Sequence, residues 1–342
     1  MAQADGFVMV EKLIDECGKI TPGLLKGAVE EINFQDYDLR TVMDRPRSRW
    51  ARRWRFNQFQ FVSVMGADWV FGIAIVDLKL VANGFFYLYD FSTGTLHEQS
   101  FLAPLARGVE IDPLPERGAA IFANAKVSMS IMPDVAGRHI QVKAPGNIQV
   151  DLTLRQDSDP LRLVSPAGYN GWVFTRKSAG LAVDGEVRWG QEVWRTDEAT
   201  RGSVDWSCGF MRRETAWNWA CMAGQLPDGR SIGLNLAAGV NETGVTENAL
   251  WLDGRCVKLG IACFDFDRYH PEQPWRVTTD DGRVDLTFQP GGVRKEKLNA
   301  LVLASNFRQF IGTFEGQMTG DDGESIAIRG MRGLMEDHYA RW

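Results

Sequence analysis

Histidine is scarce in this chain: its 342 residues include four, at positions 97, 139, 270 and 338. Residues so few and scattered do not build a multi-histidine centre, and no metal site is expected. The five cysteines, at 17, 208, 221, 256 and 263, are odd in number and include no CxxC pair. That pattern favours neither a disulfide framework nor a zinc site, so a cytoplasmic protein with buried thiols is expected. The best apolar run, Trp69 to Val76, stops at Asp77, well short of the ~20 residues that cross a bilayer; no transmembrane segment is expected. The opening residues carry Asp5 and too short an apolar stretch for a signal peptide, which makes Asn241-Glu242-Thr243 an accidental sequon. Walker, GxGxxG, GxSxG and HExxH motifs are all missing. Phosphoryl transfer, dinucleotide redox chemistry and triad hydrolysis thereby lose their usual support, and no cofactor is expected. A net charge of -6 argues against a chain built for nucleic acid.

Tryptophan and glycine are plentiful, at 12 and 35 residues, a combination that suggests β structure around large apolar surfaces. Asp-Gly recurs at 184-185, 228-229, 253-254, 281-282 and 322-323, mostly between alternating apolar and polar segments. Asp closes a tight turn with its side chain and Gly supplies the backbone freedom, so successive hairpins are predicted. Asn83-Gly84 is read as a further hairpin turn joining the two strands of WVFGIAIVDLKLVANGFFYLYDF. No long stretch has a helical apolar period. The chain therefore reads as all-β, an antiparallel meander that needs closure or a second sheet to protect its edges. Residues 1–48 read as an irregular lead, 49–170 as a first β domain and 171–342 as a second, with a strand near 172 able to bridge them.

The densest chemistry lies in VDWSCGFMRRETAWNWACMAGQLPDGRSIGLNL, residues 204–236. In extended chain Asp205 points opposite to Trp206, and Trp217 shares a face with Trp219 while Asn218 points away. A desolvated carboxylic acid can donate a proton, and indole faces stabilise the cation left when an alkene is protonated. That pairing suits hydration, isomerisation or cyclisation of an apolar polyene. The plain alternative is that Asp205 caps a loop and the tryptophans fill a core. Thr246, Glu247 and Asn248 precede an apolar strand, where they could bind a substrate hydroxyl or tie down a loop. Asn235 sits mid-strand, where a buried amide needs a partner and could orient a ligand or water. Glu336 and His338 share a strand face, so the carboxylate could set the imidazole's tautomer and basicity. RPRSRWARRWRF holds six arginines between positions 45 and 55 and no acid. It could receive an anionic head group or a membrane surface, stack nucleic acid on Trp50 and Trp54, or lie against the acidic body through ion pairs.

These residues resemble the bacterial DUF2804 proteins, a family of unknown function. The resemblance runs through LIDECGKITPG, RRWRFNQFQFVSV, FGIAIVDLKLVANGFFYLYDF, VDWSCGFMRRETAWNWACMAG, GLNLAAG, TENALWLDG and the terminal HYARW. Cys208 departs from it, standing where a larger polar or basic residue is expected. More distantly, the Asp-Trp block with Trp-x-Trp and an Asp-Gly hairpin is similar to the two-domain lipocalin-like group. That group includes carotenoid hydratases, tocopherol cyclase and fungal polyketide cyclases.

The resemblance implies two lipocalin-like, calycin-type antiparallel barrels or sandwiches acting on hydrophobic, often isoprenoid, substrates. The expected function is binding of a lipophilic small molecule, with cofactor-free acid chemistry as its enzymatic form. Asp205 would donate the proton, and Trp206, Trp217 and Trp219 would line the cation's path. Glu247, His338, Asn218, Asn235 and Asn248 would orient substrate or water. A non-catalytic lipid carrier and a glycan-active sandwich using Asp205 and Glu247 are the alternatives; the first two need an enclosed cavity, the last an open groove.

Overall fold

The computed structural model describes residues 10–240, 245–300 and 303–342. The sequon at 241–243 and the first nine residues of the irregular lead lie outside the described residues. Strand makes up 62% of the chain and helix 3%, so the fold is all-β, as the turn pattern predicts. Eleven strands position the site. They are β1 (Asn57–Met65), β2 (Trp69–Asp77), β3 (Val81–Asp90), β4 (Thr95–Pro104), β5 (Gly171–Trp189), β6 (Arg201–Gly209), β7 (Glu214–Gln225), β8 (Ser231–Ala238), β9 (Val284–Ala300), β10 (Leu303–Thr319) and β11 (Ser325–Arg341). The first sheet runs β4-β3-β2-β1-β6-β5 and continues through shorter strands between residues 109 and 155; the second is built on β8-β7-β11-β10-β9. One sheet is a nearly closed barrel and the other a curled half-barrel, giving two β domains. Sheet membership changes between Gly209 and Glu214, so a division after residue 170 falls inside the first sheet.

Four of the five Asp-Gly pairs turn the chain between antiparallel neighbours: 228-229, 253-254, 281-282 and 322-323. Asp253 and Gly254 both take positive φ, 49° and 78°, as a two-residue hairpin requires. The fifth pair, 184-185, lies within β5. Asn83-Gly84 is also misplaced by the turn reading. The β2–β3 turn is made at Leu78–Leu80, where Lys79 carries φ 66°, and Gly84 sits inside β3. A Cβ there would lie 2.8 Å from the Phe122 ring; the glycine serves close packing, not a turn.

Each sheet has two apolar faces, since period two sends alternate side chains to opposite sides. The inner face of the first sheet buries Phe71, Ile73, Phe86, Phe174 and Trp206; that of the second buries Met222, Trp275, Phe288, Phe310 and Phe314. Their other faces meet through Phe61, Val70, Phe85, Tyr87, Trp219, Ile311 and Leu334. The two sheets also come close together at glycines. β5 bulges at Gly180, which takes φ 77°, and Gly233 of β8 lies against it, so that a Cβ on Gly233 would stand 2.5 Å from the Ala179 Cβ. Gly233→Ala must push the sheets apart, and overpacking of this kind costs about 1–3 kcal/mol. Urea unfolding of the variant should show that loss; an unchanged midpoint would mean that the contact yields.

The arginine-rich segment forms a short helix, α1 (Arg49–Arg55), capped by Ser48 Oγ, which accepts from Ala51 N at 3.2 Å. Arg52 anchors it by donating to the backbone carbonyls of Gln35 and Tyr37 at 2.6 and 2.8 Å. Among the described residues no helix is long and apolar enough to cross a membrane.

Candidate functional site

Where the two outer faces part, they leave a cavity of about 270 Å³. The first sheet contributes Phe59, Phe61, Ala74, Val76, Phe85 and Val173 as an apolar wall; the second contributes Trp217, Trp219, Phe307 and Leu298. Into this space project Lys177, Asp205, Glu247, Arg294, Glu336 and His338. A depression of about 630 Å³ shares Asn57, Leu78, Met211, Arg212 and Trp342 with the cavity and forms its vestibule.

Strand register assembles the polar groups. Lys177 lies directly opposite Asp205 across the β5–β6 pair, and its ammonium ion-pairs with the Asp205 carboxylate. The same ammonium reaches Glu247 Oε1 at 3.1 Å, and Ser207 Oγ donates to Asp205 Oδ1 at 3.0 Å. Asp205, Lys177 and Glu247 are all buried. Burial alone would pull the Lys177 ammonium down, but the two carboxylates carry it above its ordinary value. Asp205 and Glu247 thus meet on one cation, not across a groove as a glycosidase pair would.

Across the cavity, register on β11 places Glu336 beside Trp219 and Gln309, and His338 beside Trp217 and Phe307. Glu336 accepts hydrogen bonds from Trp217 Nε1 at 3.2 Å and Gln309 Nε2 at 2.7 Å. Burial pushes its carboxyl up to about 7 in spite of these bonds: two neutral donors do not replace the lost hydration of a carboxylate. His338 Nε2 meets Ser305 Oγ at 3.0 Å, and the Trp217 ring stands 4.1 Å from the imidazole. Burial, aided by Arg294, pushes His338 down to about 3, so the imidazole is neutral. Its Nδ1 has no hydrogen-bond partner among the described residues. Glu336 does not set the tautomer of His338; the two share a face and bond elsewhere.

The remaining expected site residues have other duties. Trp206 does not line the cavity: it alternates with Asp205 into the first sheet's core, against Phe174. Asn218 also turns away, donating to Glu336 O and Asp337 Oδ1 at 3.2 and 3.3 Å. Asn235 is a brace. It accepts from Trp219 Nε1 at 2.8 Å and donates to Glu247 O at 2.9 Å, fixing one cavity wall to another. Asn248 accepts from Ala237 N at 2.7 Å and donates to Gly260 O at 2.8 Å. Lys177 and the donor-like state of Glu336 were missed in the sequence. The available signal for the first was Arg176-Lys177 inside an apolar strand, which sends one cation to each side of the sheet. Among the described residues no group of three or more His, Cys, Asp or Glu side chains is placed to hold a metal ion.

Comparison with solved structures finds a Nitrosomonas europaea protein assigned as an AttH candidate, at 14% identity and TM-score 0.53, covering 83% of this chain and 92% of that one. Kievitone hydratase from Nectria haematococca aligns at 9% identity and TM-score 0.47, covering 83% and 88%. At such identity the first likeness is one of fold alone. No curated protein matches the sequence. A family model described as a domain of unknown function, DUF2804, matches residues 7–342.

Proposed function

The chain belongs to the DUF2804 family, and we propose that it binds a lipophilic small molecule between its two sheets and protonates an alkene in it. The observation that carries this reading is a carboxyl group, Glu336, raised to about 7 in a largely apolar cavity that two indoles, Trp217 and Trp219, also line. We assign the donor role to Glu336 and not to Asp205, because Asp205 is ion-paired with Lys177. In the step envisaged, the alkene's π electrons form a C–H bond with the Glu336 proton, leaving a cation on the neighbouring carbon. The Trp217 and Trp219 faces stabilise that cation. Water, or a second alkene of the same ligand, adds to it, and the proton then released returns to the Glu336 carboxylate. The neutral His338 lines the same cavity, where its imidazole bounds the space open to the attacking water. Lys177, Asp205 and Glu247 form an ion-paired polar wall that orients the ligand.

A carrier would use the same apolar walls without turnover, and one experiment separates the readings. Freshly purified protein is examined by native mass spectrometry and its bound lipid extracted. That lipid, or a polyene of its class, is then incubated with the protein in D2O. The proposal expects one deuterium per product molecule at a former alkene carbon. A bound lipid recovered without deuterium exchange would leave a carrier; a recovered oligosaccharide, or no affinity for any apolar ligand, would end the lipid reading.

A further inference from the structure

The vestibule differs in chemistry from the cavity beneath it. Five arginines line it: Arg40, Arg47, Arg55, Arg212 and Arg213. Two are engaged, Arg40 with Asp38 at 2.8 Å and Arg212 with Gly239 O at 2.7 Å. Arg47, Arg55 and Arg213 make no ion pair among the described residues, although they come from three separate stretches: the lead before α1, the end of α1 and the β6–β7 connection. The carboxylate at the same rim, Glu214, takes the Tyr339 hydroxyl at 2.9 Å. Burial draws the Arg55 guanidinium below its ordinary value, and repulsion from Arg47 and Arg213 draws it further. Like charges held together in this way are relieved by an anion. Trp342 lies on both the vestibule and the cavity, so the cationic rim and the apolar space belong to one continuous site.

We propose that the vestibule holds the anionic head group, a carboxylate or phosphate, of the amphiphile whose apolar part fills the cavity. This rests on the lipophilic-ligand reading above and gives the arginine-rich segment a duty in ligand binding. Bidentate guanidinium contacts suit both anions, and the cavity below has room for a chain or ring system, while the cations at its centre, Lys177 and Arg294, are already ion-paired, with Asp205 and Glu247 and with Glu98 and Glu296.

The test is calorimetric titration of the full chain with decan-1-ol, decanoate and decyl phosphate, at low salt and pH 7.4. The three share a tail and differ in head group. Both anions should bind at least roughly tenfold more tightly than the alcohol, and raising the salt should shrink that preference. In the R47Q/R55Q/R213Q variant the preference should vanish while the affinity for decan-1-ol stays; two of the three side chains are exposed, and the alcohol's unchanged affinity certifies the fold. The anion that keeps the larger preference identifies the head group. Equal affinity of all three ligands for the unaltered protein overturns the head-group assignment and leaves the cavity reading standing. Binding of none of them overturns the cavity reading itself. Inorganic phosphate binding as tightly as decyl phosphate would detach the rim from the cavity and overturn the proposal. So would unchanged anion preference in the variant together with lost sedimentation on phosphatidylserine vesicles, which would make the arginines a membrane contact.

Discussion

Glu336→Gln is expected to lower product formation by about 10²–10⁴-fold, the usual contribution of a positioned general acid, while ligand affinity changes little. Gln keeps the shape and an oxygen to accept from Trp217 Nε1, but has no proton to give. The pH profile carries the same information. The Glu336 carboxyl titrates at about 7, so the donor form is present below that value and the rate should fall as pH rises through it. Stability follows the same sign. A carboxyl raised in the folded state favours folding most below its ordinary value of 4.5, and that contribution is lost as pH rises through about 7. Ionised Glu336 above pH 7 therefore costs up to about 3 kcal/mol relative to a neutral isostere. Glu336→Gln should accordingly be more stable than the parent at pH 8 and no more stable at pH 4. Turnover that survives the substitution would remove Glu336 as donor; a flat difference in stability across that range would remove its raised titration.

Much of the architecture was readable because it depends on local requirements. Asp253-Gly254 turns the chain because both residues must take positive φ, a demand made by the residues themselves. Asn83-Gly84 misleads because the second use of glycine, room for a neighbour such as Phe122, is set by a strand far along the chain. The same split runs through the site. Period two puts Trp217 and Trp219 on one strand face and Asp205 opposite Trp206, and Asp205, Trp217 and Trp219 all line the cavity; the same alternation takes Trp206, expected along the ligand's path, into the core instead. What the sequence does not display is register. Lys177 faces Asp205 only because β5 and β6 align at that residue pair, and Glu336 becomes a desolvated acid only because β11 sets it between Trp219 and Gln309. Asp205 looked like the isolated acid because its neutralising cation lies 28 residues away in sequence. The arginine-rich segment reads as a generic basic surface until its Arg47 and Arg55 are found beside Arg213 at the cavity's mouth.

Lys177→Met should be the most damaging single change to stability. Met follows the Lys stem to its fourth side-chain atom and lacks only the ammonium, so packing is nearly conserved, but it strands the Asp205 and Glu247 carboxylates, both buried, without their shared cation. Removing one partner from a buried ion pair typically costs 3–5 kcal/mol, mainly the desolvation of the charge left behind, and here two charges are left. If that is the cause, neutralising them must repair it. K177M/D205N/E247Q should regain most of the loss and could exceed the parent, because a buried ionic triad is seldom more stable than a neutral replacement of equal volume. Urea unfolding of the parent, K177M and the triple variant measures all three values under one set of conditions. A loss below about 1 kcal/mol in K177M would show that water reaches the carboxylates and that the pair behaves as an exposed one. A large loss that the triple variant does not recover would place the damage in packing around residue 177, and the polar wall would lose its electrostatic account. The ligand assay then decides whether the wall also orients the ligand: a refolded triple variant that binds decan-1-ol as the parent does, yet yields a mixture of products where the parent yields one, is the expected result for a wall that holds one pose.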